Sequence, residues 1–309
     1  MKEKTVALIG APTDVGAGAR GASMGPEALR VAGLAQALSR QGLQVVDTGN
    51  LSGPFNPWQA PVAGYRHLPE VVQWNQALFN AVTAQLQAGH IPVMLGGDHC
   101  LGMGSVGAVA RYCRQLGQPL RVFWLDAHTD FNTAQLTPSG NVHGMPVACL
   151  CGFGPDELVN LGGQGAALDA ADLRMIGIRS VDRRERLFVH EQGLDVYDMR
   201  MIDELGMRAV MQAALADLPD DVHIHVSFDV DFLDPGDAPG VGTTVQGGPT
   251  WREAQLCMEM LADTGRVASL DIVELNPALD VRNGTAKVAV QMVESLFGKS
   301  TLVRQASSY

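Results

Sequence analysis

Short apolar runs alternate with longer stretches in which apolar positions recur at helical spacing, and the alternation continues along most of the 309-residue chain. The short runs predict strands over 6–9, 44–48, 92–95, 122–126, 173–178, 194–197, 223–229 and 267–272. They are nearly continuous in apolar residues, the pattern of strands covered on both faces. Amphipathic spacing predicts helices over 26–39, 68–87, 104–115, 201–216 and 251–263, the first opening on Pro26, which suits a first helical turn. Strand and helix in alternation predict an α/β fold of three layers: a mostly parallel sheet of about eight strands with helices on both faces. No repeat, charge block or clear break interrupts the pattern, so the reading is one domain over residues 1–309.

Three connections are long and irregular: 50–66, rich in Pro and Gly; 128–146, polar; and 232–249, carrying Asp, Pro, Gly and Thr. The last two leave strands at their carboxyl ends, where open α/β sheets place their sites.

Composition narrows the class. Apolar content of 46% with only 6% aromatic residues fits an enzyme with a large aliphatic core. A formal net charge of −11 argues against nucleic acid or an anionic membrane as the main partner. No apolar run approaches the roughly 18 residues of a membrane span. The start Met1-Lys2-Glu3-Lys4 leads into a short apolar segment and Gly10-Ala11-Pro12, a first strand rather than a signal peptide. Five cysteines in mostly apolar contexts read as reduced thiols, and with them a cytoplasmic location. Cys149-Leu150-Cys151 lacks zinc spacing and reads as packing.

The chemistry concentrates after three strands. Asp126-Ala127-His128-Thr129-Asp130 follows the apolar run Val122-Phe123-Trp124-Leu125. On an alternating strand, Asp126, His128 and Asp130 share one side. Gly96-Gly97-Asp98-His99 ends the strand before it, and Asp229-Val230-Asp231 closes the strand over 223–229. Each piece alone is as readily a cap or a turn anchor. Together they place two histidines and four carboxylates on one sheet edge, and unpaired charges there are costly. Four carboxylates exceed the need of one divalent ion, whereas two ions about 3.5–4 Å apart use the whole set. An oxygen-rich shell with two imidazoles and no thiolate favours Mn²⁺ over zinc, with iron and cobalt left open. A water shared by two cations ionises near neutral pH, which points to hydrolysis.

These segments resemble the arginase/agmatinase (ureohydrolase) superfamily and, within it, the arginase family. The matching motifs are GGDH at 96–99, DAHTD at 126–130, SFDVDFLDP at 227–235, the Gly-Pro segment at 21–26 and SLDIVELNP at 269–277. The loop from Asn132 to Gly144, with Ser139-Gly140-Asn141 and His143, resembles the arginase branch in particular. The resemblance implies an arginase-like fold and two Mn²⁺ per subunit. His99, Asp126, Asp130 and Asp229 would hold one ion, His128 and Asp231 the other, with Asp126 and Asp229 bridging. It implies that a bridging hydroxide attacks the guanidinium carbon of L-arginine, giving L-ornithine and urea. Asp130 would take up its proton, His143 would carry a proton to the leaving amine, Glu274 would face the guanidinium, and Thr243 would share the cavity. Asn132 and Ser139 would receive the α-carboxylate, aided by Thr137 and Asn141. Asp182 would meet the α-amino group with Glu185 in support, although both also suit a helix N-terminus. A homo-oligomer, trimer or hexamer, follows from the same resemblance.

Other features take plainer readings. Residues 16–21 match G-x-G-x-x-G, and Asp47 lies near the end of the next strand, but the glycines begin several residues after the first strand and do not form the strand-to-helix turn. His223 and His225 read as packing, and His67, His90 and His190 as loop or helix-end residues. Arg252-Glu253 is a solvated pair or, by the resemblance, a subunit contact. The tail after Gly298 is short and polar, without an evident trimer-forming extension. Two departures border the substrate loop: Met145, where many arginases carry Gln, and Pro138, in place of a small hydroxyl residue. They keep another guanidino compound, guanidinobutyrate or agmatine, open as substrate. A catalytically silent metal-binding protein on the same fold is the third possibility.

Overall fold

Each apolar run becomes a strand in the computed structural model, which describes residues 4–302: β1 (Thr5–Ala11), β2 (Gln44–Asn50), β3 (Ile91–Gly96), β4 (Leu120–Leu125), β5 (Leu173–Ile178), β6 (Val196–Asp198), β7 (His223–Asp229) and β8 (Val267–Val273). The expectations for the extreme start and for the end of the tail fall on residues 1–3 and 303–309, outside the described residues. The eight strands form one sheet in the order β2-β1-β3-β8-β7-β4-β5-β6, and every neighbouring pair is parallel. The chain builds outward from β1 in both directions, then returns with β7 and β8 to fill the gap between β3 and β4. The carboxyl ends of β3, β8, β7 and β4 therefore lie side by side, which is where the motif residues are.

Side-chain parity divides the core. Val6, Leu8, Val93, Leu95, Phe123 and Leu125 pack with helices Gly25–Val31, Leu34–Arg40, Met199–Leu205, Met207–Leu215, Trp251–Asp263 and Gly284–Leu296. Ile9, Met94, Val122 and Trp124 face the other way, toward helices Leu68–Gln87, Gly102–Leu116 and Pro146–Leu150. The result is the expected three-layer α/β arrangement. Among the described residues, no helix is long and apolar enough to cross a membrane.

Two expected helices are broken in the structure. The 26–39 stretch is two helices separated by Gly33 at φ +88°, and the 201–216 stretch is two separated by Gly206 at φ +81°. Both glycines adopt a backbone that ends a right-handed helix. The helix Gly284–Leu296 was not among the expected elements, although it buries one face against the first core. The glycine-rich 16–21 segment forms no strand-to-helix turn: a short 3₁₀ turn, Ala22–Met24, follows it before the helix begins at Gly25.

Candidate active site

β4 ends at Leu125, and Asp130 lies at φ +50°. The cluster 126–130 is therefore a turn, and Asp126, His128 and Asp130 converge because the backbone bends rather than because a strand alternates. A left-handed backbone at a non-glycine residue costs of order 1–3 kcal/mol and marks an over-determined position. Glu274, immediately after β8, shows the same departure at φ +61°.

The first group centres on His99. Its Nδ1 is buried, makes no hydrogen bond, and lies 3.1 Å from Oδ2 of each of Asp126, Asp130 and Asp229. A single proton on that nitrogen cannot satisfy three carboxylates at once. A cation shared by the four atoms can, so the residues fit a metal ion. The second group holds His128, whose Nδ1 lies 3.1 Å from Asp231 Oδ2 and 3.4 Å from Asp126 Oδ1. Asp126 thus turns one oxygen to each group. Asp229 gives Oδ2 to the first, while its Oδ1 accepts the Asp231 N–H at 2.7 Å.

Charge is unbalanced without cations. Burial, reinforced by Asp126, pushes Asp130 up to about 7. Burial and the neighbouring Asp231 and Asp126 push Asp229 well above the ordinary carboxylate range. Burial raises Asp126 too, but His128 and His99 more than cancel it and hold Asp126 low. Burial opposes charge on the imidazoles, yet the surrounding carboxylates carry His128 up to about 12 and His99 well above its ordinary value.

Neighbours hold these side chains in place. The Trp124 indole N–H donates to Asp126 Oδ2 at 3.0 Å, and its ring stacks on His99. His99 Nε2 meets Ser227 Oγ at 2.8 Å. Thr243 Oγ1 donates to Asp231 Oδ2 at 2.9 Å, and the Ala127 N–H donates to Asp231 Oδ1 at 3.1 Å. Trp124 and Ser227 stand within the motifs of the sequence reading, but neither was given a role at the site. A signal existed, since each stands two residues before a ligand on its strand. Such partners fix the orientation of metal ligands.

A cavity of about 220 Å³ opens over both groups. It is lined by His99, His128, Asp130, Asp229 and Asp231 together with His143, Glu274, Thr243, Asn132, Thr137, Ser139, Asn141, Asp182 and Glu185. Asp126 lies beneath, fully buried. Glu274 Oε1 accepts the His99 N–H at 2.9 Å and meets His143 Nδ1 at 2.9 Å. Burial disfavours both charges, but the pair holds Glu274 below its ordinary value and lifts His143 to about 9.

The loop from Asn132 to His143 presents donors. Thr137 Oγ1 accepts the N–H groups of Ser139 and Gly140, and Ser139 Oγ accepts that of Asn141. The two hydroxyls also lie 3.4 Å apart, so one donates to the other and the second proton is left for a ligand. Asn132 differs from its expected use. Its Nδ2 donates to Asp182 Oδ2 at 3.1 Å and Glu185 Oε2 at 3.0 Å, so both amide hydrogens are engaged and Oδ1 is left buried without a partner. Asp182 and Glu185 form a capping box on helix Arg183–Glu191, as their spacing allows, while also lining the cavity. Glu185 is held by Thr129 Oγ1 at 2.5 Å and the Phe131 N–H at 2.9 Å, beneath the loop.

The remaining histidines take structural places. His223 Nε2 and His225 Nδ1 both meet Ser269 Oγ at 2.8 Å, in the sheet, and burial lowers His223 to about 3. Arg252 pairs with Glu259, while Glu253 caps its own helix through Thr250.

Residues 4–298 match the model of a protein family described as the Arginase family. The arginase of Brucella suis is 45% identical over 310 aligned positions, covering 98% of this chain and 99% of its own. The solved arginase of Bacillus caldovelox superposes with a TM-score of 0.92 at 41% identity, over 97% of this chain and 100% of that one. The arginase of Entamoeba histolytica, solved in complex with L-ornithine, gives 0.89 at 30% identity, over 97% and 100%.

Proposed function

This chain belongs to the arginase family, and from that premise we propose that it is a metal-dependent ureohydrolase converting L-arginine to L-ornithine and urea with two Mn²⁺ ions per subunit. The observation that carries the reading is Asp126, whose two oxygens are divided between two ligand groups at the floor of one cavity. His99, Asp126, Asp130 and Asp229 would hold one ion and His128 and Asp231 the other, with Asp126 facing both. Bound there, two cations lower the pKa of water and so supply a nucleophile at neutral pH.

The side chains divide the remaining work. Asp130, which lines the cavity beside the metal groups, takes up a proton as water is added to the guanidinium carbon. Glu274 uses Oε1 for His99 and His143, which leaves Oε2 for the planar guanidinium. His143 gives Nδ1 to Glu274 and keeps Nε2 to protonate the amine that leaves as the C–N bond breaks. The hydroxyls of Ser139 and Thr137, with Asn141, receive the α-carboxylate, and Asp182 receives the α-ammonium. Asn132 and Glu185 support this arm by holding Asp182 and the loop. Thr243 holds Asp231 from within the cavity.

Substrate length and charge follow from Asp182. A guanidino acid without an α-amino group would leave that carboxylate without a cationic partner. Met145 is buried in the core and Pro138 is on an exposed turn, so neither departure lines the cavity. The test is urea release by Mn²⁺-loaded protein from arginine, agmatine and guanidinobutyrate. Arginine should be strongly preferred; preference for either of the others overturns the amino-acid reading, and no urea from any makes the chain a silent metal binder. His128→Asn should lose metal and most activity.

The same reading includes one domain, a homo-oligomer (trimer or hexamer) and a cytoplasmic location. Exposed Val31, Leu279 and Val281 support a subunit contact, and five free cysteines support a reducing compartment. Light scattering after size exclusion and cell fractionation test these two points.

A further inference from the structure

Two arginines outside the cavity touch the substrate loop: Arg184, at the Gln135 carbonyl, and Arg66, at a residue of the cavity wall. Arg66 Nε donates to Asn141 Oδ1 at 2.7 Å, while its Nη1 donates to the Gln59 carbonyl at 3.0 Å. Arg66 does not line the cavity, but Asn141 does. An amide's oxygen and nitrogen are hard to distinguish by shape, so the hydrogen-bond partner decides which way it faces. A guanidinium has donors only. It therefore draws Oδ1 and turns the NH₂ group away. That group packs over the bare Cα of Gly18, where an added Cβ would lie 2.7 Å from Nδ2, and it has no hydrogen-bond partner among the described residues. A free NH₂ offers donors to an anion; a reversed amide would offer a carbonyl oxygen and repel it.

The backbone around Arg66 is anchored to the same turn. The Arg66 N–H donates to the Gly140 carbonyl at 2.8 Å. Gly140 is at φ +71°, and a Cβ there would lie 2.6 Å from Pro61 Cβ, so segment 61–66 lies directly against the Gly140-Asn141 turn. The next residue, His67, meets the Gln59 backbone with Nε2, 2.9 Å from its N and 3.1 Å from its carbonyl oxygen, and the Val15 carbonyl with Nδ1 at 2.8 Å. The buried imidazole thus ties the 59–67 strap to the 15–16 turn beside the site.

We infer that Arg66 is a specificity-determining positioning residue: it fixes the rotation of the Asn141 amide so that its NH₂ is presented to the α-carboxylate of the substrate. This rests on the reading of Asn141 as a carboxylate contact. It assigns a role in substrate choice to the irregular 50–66 connection, which contributes no residue to the cavity wall.

The test is steady-state kinetics of the Mn²⁺-loaded enzyme, with inhibition by L-ornithine and by putrescine, which lacks the carboxylate. Arg66→Ala should raise KM for arginine about tenfold, the scale of one hydrogen bond to a charged group, with kcat held within about twofold. The inhibition constant for ornithine should rise in parallel and that for putrescine should not. Arg66→Lys, also a donor only, should restore most of the loss. Asn141→Ala should match Arg66→Ala, and the double variant should be no worse than either. If Asn141→Ala raises KM and Arg66→Ala does not, the inference fails while the Asn141 contact stands. If Asn141→Ala leaves KM unchanged, both fail. An equal rise for putrescine, or loss of metal content in Arg66→Ala, would mean general loosening of the loop and overturn the inference.

Discussion

Trp124 stacks on His99 with ring centroids 4.1 Å apart and planes within 5°, and the same indole donates its N–H to Asp126. One buried side chain therefore holds a ligand from the His99 group and the carboxylate that serves both groups. Trp124→Phe keeps a stacking ring and removes the N–H. It should weaken Mn²⁺ binding about tenfold, within the range for lost supporting contacts to metal ligands, with only modest loss of fold stability. Trp124→Ala opens a core cavity as well and should cost about 3–5 kcal/mol. Metal titration followed by thermal melting separates the two effects; unchanged affinity in the Phe variant removes the indole N–H from the design of the site.

Much of this was legible in the residue pattern. Parallel strands covered on both faces must be continuously apolar, which marked the six inner strands, whereas the edge strands β2, largely exposed, and β6, only three residues long, were marked by shorter runs. The clustered residues could be picked out because His and Asp recur at strand ends. What the pattern hid was conformational. Gly33 and Gly206 are tolerable inside a helical period, and only their positive φ makes them breaks. The bend at Asp130 has no local signature, so convergence was expected from strand alternation instead. Asn132 could be placed at the site, but whether its amide hydrogens faced substrate or Asp182 depended on a helix 50 residues away. Arg66 and Asn141 are 75 residues apart, and nothing local in either segment announces the pair.

Removing metal should reveal the carboxylate repulsion. Asp130 has its folded pKa raised from 3.8 to about 7. A group raised in this way favours the fold while protonated, and the favour is lost as pH rises from about 4 through about 7. Chelator-treated protein should therefore lose stability across that window, by an amount on the order of a few kcal/mol. Metal-free Asp130→Asn should show a flatter profile and melt higher than the parent at neutral pH, while losing the stabilisation that Mn²⁺ gives the parent. Thermal melts at several pH values, with and without Mn²⁺, check both arms. A parent profile no steeper than that of the variant sinks the assignment.

His143 carries its proton by virtue of Glu274, 2.9 Å away, and is half-open to the cavity. Replacing the imidazole with alanine should lower kcat by roughly 10²–10⁴ while leaving metal content intact, the usual span for a lost proton carrier. Free imidazole added to His143→Ala should recover part of the rate, because the cavity has room where the ring was removed. Loss of metal in this variant, or a rate indifferent to imidazole, would place His143 in a purely structural role.

Asp182 serves two purposes that one substitution can separate. As N-cap of helix Arg183–Glu191 it shares a capping box with Glu185, and as a cavity residue it offers a negative charge to an α-ammonium. Asparagine is as good an N-cap as aspartate, whereas alanine is not. Asp182→Asn should therefore leave the melting temperature close to the parent while raising KM for arginine about tenfold, since only the charge is lost. Asp182→Ala should raise KM similarly and also lower stability by about 1 kcal/mol. The comparison matters because the capping role alone explains the side chain's presence. If Asp182→Asn binds arginine as the parent does, capping is its whole function, and the α-amino group must be recognised elsewhere.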